Sequence, residues 1–219
     1  MKTFFLLIFF NLVPAHGFSQ TRTEIARVID QLPVSANSIY LFCRGTTTKS
    51  GFIARDFNLK DTNITHVGLG HAENGSFRIY NVTDTRGFDN ALLIDSVASF
   101  IAEEDVYYFS IWECKSTKRD IGALNKILKR FLERKIIFDI SFQLNKDDTL
   151  YCSEFCATLL NETNPRQYHF EPVKRKLNDR LFTAILKREE LIYYPVDFFR
   201  TNKNFRKLCE FRLQSDRKN

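Results

Sequence analysis

The sequence predicts an α+β chain in which an antiparallel sheet is packed with helices. Three observations carry this. Strand-like and helix-like runs follow one another in mixed order. Thr65 to Ala72 and Phe77 to Thr83 alternate around Glu73-Asn74-Gly75-Ser76, and Asn-Gly between alternating runs is a strong hairpin signal. Thr117 to Lys135 places Ile121, Leu124, Leu128, Phe131 and Leu132 at helical spacing.

Residues 1–19 read as a secretory signal peptide. Lys2 gives the positive start, Phe4 to Phe10 the apolar run that Leu12 and Val13 extend, and Gly17 and Ser19 the small residues of a cleavage site before Gln20. The run is short for a membrane-spanning helix. A secreted or periplasmic protein is therefore expected, with residues 20–219 as a single domain. No internal repeat or Pro/Gly/Ser linker divides that stretch.

The remaining elements are expected in this order. Thr23 to Leu32 is a helix ended by Pro33, and Ser38 to Arg44 is a strand. Gly45 to Gly51 is a polar loop. After the hairpin, Ala91 to Glu103 fits a helix with Leu92, Leu93, Val97, Phe100 and Ile101 inward. Val106 to Glu113 is a strand, the 117–135 helix follows, and Ile136 to Phe142 is strand-like before a polar turn at Asn145 to Asp148. Cys152 to Leu160 is a helix ending near Asn161 and Pro165. A helix over Leu177 to Lys187, a strand end at Tyr193-Tyr194-Pro195 and a last strand from Phe205 to Leu213 complete the chain, with a polar tail from Gln214.

The balance of 44% hydrophobic and 26% charged residues is that of a folded soluble chain of 219 residues. The 22 phenylalanines favour a core of packed aromatic rings. Five cysteines, an odd number, leave at least one thiol over in an oxidising compartment. Cys43, Cys114 and Cys209 sit in apolar strand-like runs, either bridged or as small buried hydrophobes. The net charge is +6, with basic clusters at 115–119, 126–135, 174–180 and 200–207. These are solvated helix faces or, more sharply, a surface for peripheral contact with an anionic envelope. No nucleic-acid-binding motif is present.

The chemistry centres on Tyr151-Cys152-Ser153-Glu154. Cys152 falls in the first turn of a helix, where unpaired backbone N–H groups and the dipole favour a thiolate and can receive an oxyanion. Glu154 suits the same dipole. Cys156, four residues on, has no second Cys/His cluster at zinc spacing and is assigned to the core, so no metal is expected. Of the histidines, His66 and His71 share a strand on opposite faces. A two-residue turn at Asn74-Gly75 sets Gly70 against Ile79, Gly68 against Asn81 and His66 against Thr83. His66 and Asn81 then project from one face, with Gly68 leaving room between them. An amide oxygen accepting the imidazole N–H would fix the tautomer and aim the other nitrogen at a thiol. A one-residue slip would exchange His66 for His71. Asp139 either lines the cleft, where it can bind a substrate amine, or satisfies a backbone turn. Tyr151 either shapes the pocket or offers its hydroxyl near the oxyanion.

Thr65-His66-Val67-Gly68-Leu69, Ile79-Tyr80-Asn81-Val82 and Phe138 to Phe142 leading to Tyr151-Cys152-Ser153-Glu154-Phe155 resemble the permuted papain-like amidase family, the YiiX-type group of the NlpC superfamily. The resemblance runs from about Ser38 to Phe211. It implies a circularly permuted papain-like (NlpC-type) fold, with the cysteine helix behind the histidine strand rather than before it. It implies a Cys-His-polar triad at Cys152, His66 and Asn81. Tyr151, Glu154 and Asp139, read from the residues themselves, are candidates for substrate binding or for shaping the site, and no metal or organic cofactor is expected. The third position often holds a carboxylate in that family, and the Gly-Asp that commonly opens the leading strand is here Asn37-Ser38. The substrates implied are cell-wall peptides or lipid-like acyl amides. The expected activity is hydrolysis of an amide or ester bond. The alternatives are acyl transfer to another acceptor and a non-catalytic module that binds the envelope.

Overall fold

Apolar and β-branched runs pair into a six-stranded antiparallel sheet. In the computed structural model, residues 21–73, 75–84, 89–144 and 146–213 are described. The expected signal segment, Asn74 of the hairpin turn, Asn145 of the polar turn and the tail from Gln214 lie outside them. The first half comprises α1 (Arg22–Asp30), β1 (Ser38–Thr46), α2 (Lys49–Asp56), β2 (His66–Glu73), β3 (Ser76–Val82), β4 (Leu92–Asp95), α3 (Val97–Phe100) and β5 (Val106–Lys115). The second comprises α4 (Lys118–Leu132), β6 (Ile137–Phe138), β7 (Thr149–Leu150), α5 (Cys152–Thr163), β8 (Val173–Lys176), α6 (Arg180–Leu186), β9 (Glu190–Tyr193) and β10 (Phe205–Arg212). The large sheet runs β10-β5-β1-β2-β3-β4, while β6-β7 and β8-β9 form two small pairs.

β1 lies inside the sheet and is buried on both faces. Alternation sends Ile39, Leu41 and Cys43 into a core shared with α4 and α5. Tyr40 and Phe42 enter a second core with Ile25 and Ile29 of α1 and Phe100 of α3. A third, smaller core gathers Phe57, Tyr151, Phe182 and Leu191. Several phenylalanine pairs pack edge to face, as in Phe131–Phe155 at 5.5 Å and 90°. α4 is the amphipathic helix the spacing predicts, opened by a reciprocal capping box of Thr117 and Asp120.

The β2–β3 register is the expected one, with Gly70 opposite Ile79 and Ala72 opposite Phe77. Its glycines answer to crowding. A Cβ on Gly68 would stand 2.7 Å from Ile79 Cγ2 and 3.1 Å from Asn81 Cβ. On Gly70 it would stand 1.9 Å from the Arg78 carbonyl oxygen. β2 starts where a buried carboxylate anchors the preceding loop: Asp197 accepts the backbone N–H groups of Leu59, Lys60 and Asp61 at 2.7–3.0 Å.

Four expectations are corrected. Ala91 to Glu103 is not one helix: Leu92–Asp95 pairs with β3 as a strand, Ser96 caps a new turn through Ser99 N–H, and only Val97–Phe100 is helical. The polar loop Gly45 to Gly51 instead contains the end of β1 and the start of α2, which Thr48 caps by accepting Gly51 N–H. The Ile136 to Phe142 strand shrinks to two paired residues, because the Asp139 side chain folds the chain into a turn. The helix expected from Leu177 starts at Arg180, after its Asp179 cap, and Val173–Lys176 pairs with Glu190–Tyr193 unforeseen.

Two glycine substitutions should separate these demands. Gly70→Ala places a methyl against backbone and should lose about 2 kcal/mol or more in urea unfolding. Gly122→Ala on the open face of α4, where nothing lies within 4 Å of the added carbon, should gain about 0.5–1 kcal/mol.

Candidate active site

Cys152 opens α5, directly after the extended residue Tyr151. The first helical turn closes with Phe155 N–H on the Tyr151 carbonyl, so the amides of Cys152, Ser153 and Glu154 have no acceptor four residues back. Tyr151 supplies no side-chain cap to them. The helix start is tied down from outside. Tyr194 N–H donates to the Tyr151 hydroxyl at 2.8 Å, and Ser153 Oγ donates to the Tyr194 carbonyl at 2.7 Å. Cys156, one turn on, is fully buried and donates weakly to the Val67 carbonyl at 3.8 Å.

His66 is the first residue of β2, directly across from Arg44 of β1. Its Nε2 lies 3.0 Å from Asn81 Oδ1 on β3. Asn81 Nδ2 in turn donates to Asp95 Oδ2 at 2.8 Å, on β4, and Ser99 Oγ donates to Asp95 Oδ1 at 2.7 Å. This chain fixes the proton positions. A carboxylate only accepts, so the Asn81 amide must turn its NH₂ toward Asp95 and its oxygen toward the ring. The ring therefore carries its proton on Nε2, and Nδ1 is left as a base.

Cys152 and His66 line one cavity of about 580 Å³. Cys152 comes to it from the α4–α5 side, and His66 stands beside Phe100 of the other core at 5.7 Å between ring centroids. Burial pushes the Cys152 thiol up, against the pull of the Val67 and Ser153 backbone N–H groups and of the Arg44 charge. Burial first, and then Arg44, pushes the His66 imidazole down to about 3, against the hydrogen bond to Asn81. Among the described residues no hydrogen bond joins the Cys152 sulfur to the ring. The resting site thus holds a neutral thiol and a neutral imidazole rather than an ion pair.

The cavity is divided. Arg44, Thr46, Thr65, Thr83 and Asp84 are polar lining near β1–β3, and Phe57, Phe138, Phe142, Leu186 and Tyr193 contribute apolar lining. Tyr151 and Ser153 line it beside Cys152. The other expected site residues sit as follows. Glu154 is buried in the first turn of α5 and is not among the lining residues. Asp139 is also buried away from the cavity, where its carboxylate accepts Ser141 N–H, Ser141 Oγ–H and Gln143 N–H and so closes a turn. His71 lies buried on β2, stacked on Tyr80, and outside the cavity lining. All five cysteines are free thiols.

Sequence reasoning missed Asp95 and Arg44. The helical spacing of 91–103 hides Asp95, and only the β3–β4 pairing brings it to Asn81. Arg44 carried a signal that could have been used: a lone cation ending an apolar strand beside the His66 strand. Two outcomes follow. Asp95→Ala should free the Asn81 amide to turn and shrink the excess of the Nε2–H tautomer, as read from imidazole ¹⁵N spectra. Because His66 titrates near 3 in the fold and near 6.5 when unfolded, the unfolded chain binds its proton first. Stability should fall as pH drops from about 6.5 toward 3, by on the order of a few kcal/mol in all. His66→Gln should flatten that part of the denaturation profile.

No family model matches the chain, and no curated protein matches it. Among solved structures, it is similar to the crystal structure of metalloprotein YiiX from Escherichia coli O157:H7, of the DUF1105 group, at 13% identity and a TM-score of 0.58. The likeness covers 81% of this chain and 98% of that one. At that identity it shows the fold: a YiiX-like arrangement of an antiparallel sheet and helices.

Proposed function

We propose that this chain is a cysteine hydrolase of permuted papain-like type, acting on an amide or ester bond of a peptide or lipid-like acyl substrate. The observation that carries the reading is a thiol at an uncapped helix start sharing a cavity with an imidazole whose tautomer is set from behind by Asn81 and Asp95. The YiiX-like fold and the order of the histidine strand before the cysteine helix support it.

The reaction follows from the proton positions. Nδ1 of His66 takes the thiol proton as Cys152 sulfur attacks the substrate carbonyl carbon. The negative charge that develops on the carbonyl oxygen is received by backbone N–H groups at the start of α5. The imidazolium so formed is a strong acid in this buried setting, and it returns the proton to the leaving nitrogen or oxygen at once. Water, deprotonated by the same ring, then releases the acyl group. The apolar wall from Phe57 to Tyr193 suits an acyl chain or an apolar side chain next to the scissile bond.

The YiiX structure is described as that of a metalloprotein. In this chain no group of three or more His, Cys, Asp and Glu residues that could hold a metal is found among the described residues. His66 spends Nε2 on Asn81, which leaves Nδ1 as its one remaining donor atom. The donor set does not fit a metal centre, and no step is routed through one. An exported setting, expected from residues 1–19, belongs to this proposal. No helix of the described residues is long and apolar enough to cross a membrane.

Cys152→Ala should abolish both turnover of acyl esters and labelling by a thiol-directed acylating probe, with unchanged unfolding. Labelling of the variant to the wild-type extent would remove Cys152 from the site. Product analysis with an added alcohol or amine separates hydrolysis from transfer: a free acid alone marks a hydrolase.

A further inference from the structure

The site also holds a charged pair, Arg44 and Glu103. Arg44 sits directly across from His66 on the neighbouring strand, and paired residues of an antiparallel ladder share a face. Its guanidinium lies 4.9 Å over the Phe100 ring, the same ring that His66 packs beside. Nη1 donates to the Phe100 carbonyl at 2.8 Å, and Nη2 is 3.3 Å from Glu103 Oε1. The arginine side chain is 7% exposed and the glutamate 57% exposed. Nε is buried without a partner. Both residues line the cavity that holds Cys152 and His66.

We infer that Arg44 and Glu103 form a charge regulator for the thiol and the imidazole, with Arg44 as the fixed cation and Glu103 as its partial, solvent-side neutraliser. This rests on the reading that Cys152 and His66 react with each other. A fixed cation in a poorly solvated site acts on both partners in the same sense. It favours loss of the thiol proton and opposes gain of a second proton by the ring. His66 is thereby kept as a neutral base when substrate arrives. Once it holds a proton it is driven to hand it to the leaving group. The negative charge on sulfur and then on the carbonyl oxygen gains from the same cation. Glu103 limits the effect, since an exposed carboxylate cancels part of the field while remaining accessible to solvent ions.

The other charged and titratable groups around His66 do not replace this pair. Asp95 faces the ring only through the Asn81 amide. Asp84, beyond the end of β3, and Lys49, at the start of α2, also line the cavity but are not in register with the ring, and Cys152 is the reacting group from α5. Arg44 is the cation that stands in register with the ring.

The pair can be tested with substitutions of opposite sign. Arg44→Gln keeps a donor for the Phe100 carbonyl and removes the charge. Arg44→Lys keeps the charge without the fork. Glu103→Gln removes the neutraliser at an exposed position, where folding is least at risk. The first readout is the pH titration of the His66 ring by ¹⁵N-histidine NMR, assigned with His66→Gln. The second is the pH dependence of Cys152 alkylation by iodoacetamide, read on the Cys152 peptide by mass spectrometry.

Arg44→Gln should bring the onset of His66 protonation up by about one pH unit or more and slow Cys152 alkylation near neutral pH on the order of tenfold. Glu103→Gln should move both the other way, and Arg44→Lys should stay near wild type. Unchanged titration of His66 in both Arg44→Gln and Glu103→Gln overturns the inference. That result is distinct from failure of the hydrolase reading, which would show as wild-type protein that turns over no acyl substrate while its His66 titration still responds to these variants.

Discussion

The hydrogen-bonded line from His66 through Asn81 to Asp95 is what the rest of the site depends on. It crosses β2, β3 and β4, so it exists only if all three strands hold their register. Slipping any of them by one residue turns a member to the other face. The crowding at Gly68 and Gly70 belongs to the same demand, because the strands approach there with no space for a side chain. Local sequence, sheet pairing and proton placement are in this sense one constraint: the glycines let the strands close, closure aligns the amide, and the amide chooses which ring nitrogen is basic.

Burial gives the site its chemical character. A thiolate–imidazolium pair would need two charges stabilised in a cavity walled largely by aromatic and aliphatic side chains, where desolvation is costly. This chain instead rests with both partners neutral and sets its fixed charge on Arg44, directly across the β1–β2 ladder from His66. The helix start, which the Tyr151 side chain does not cap, adds positive potential without adding a titratable group. The result is a site arranged for proton transfer during attack rather than before it.

How much of this was legible in the sequence differs by element. The β2–β3 hairpin was readable because period-two alternation and a two-residue turn leave one register, and the pairing of His66 with Asn81 came with it. The α5 start was readable from Cys152 preceding an apolar helical run. The segment from Ala91 to Glu103 was not, for a physical reason. Leu92, Val97, Phe100 and Ile101 have spacings compatible with a helix, while the pairing of Leu92–Asp95 is decided by the exposed edge of β3, a non-local partner. Asp95 was lost with that segment. α2 was hidden by its polar composition, Lys49 to Gly51, although Thr48 is an ordinary capping residue. Asp139 shows the converse: a strand-like string of Phe and Ile is cut short when one carboxylate collects three nearby donors.

The position of Asn81 has a practical consequence for anyone producing this protein. Asn81-Val82-Thr83 is an acceptor triplet for N-linked glycosylation. In the folded chain the asparagine is 1% exposed and both ends of its amide are engaged. A secretory pathway that attaches oligosaccharide to nascent chains would reach that nitrogen before the strands pair. The sugar could not then be enclosed between β2 and β4, and molecules so modified would be held back from folding. Expression in a host without that modification, or with Thr83 replaced, avoids the conflict.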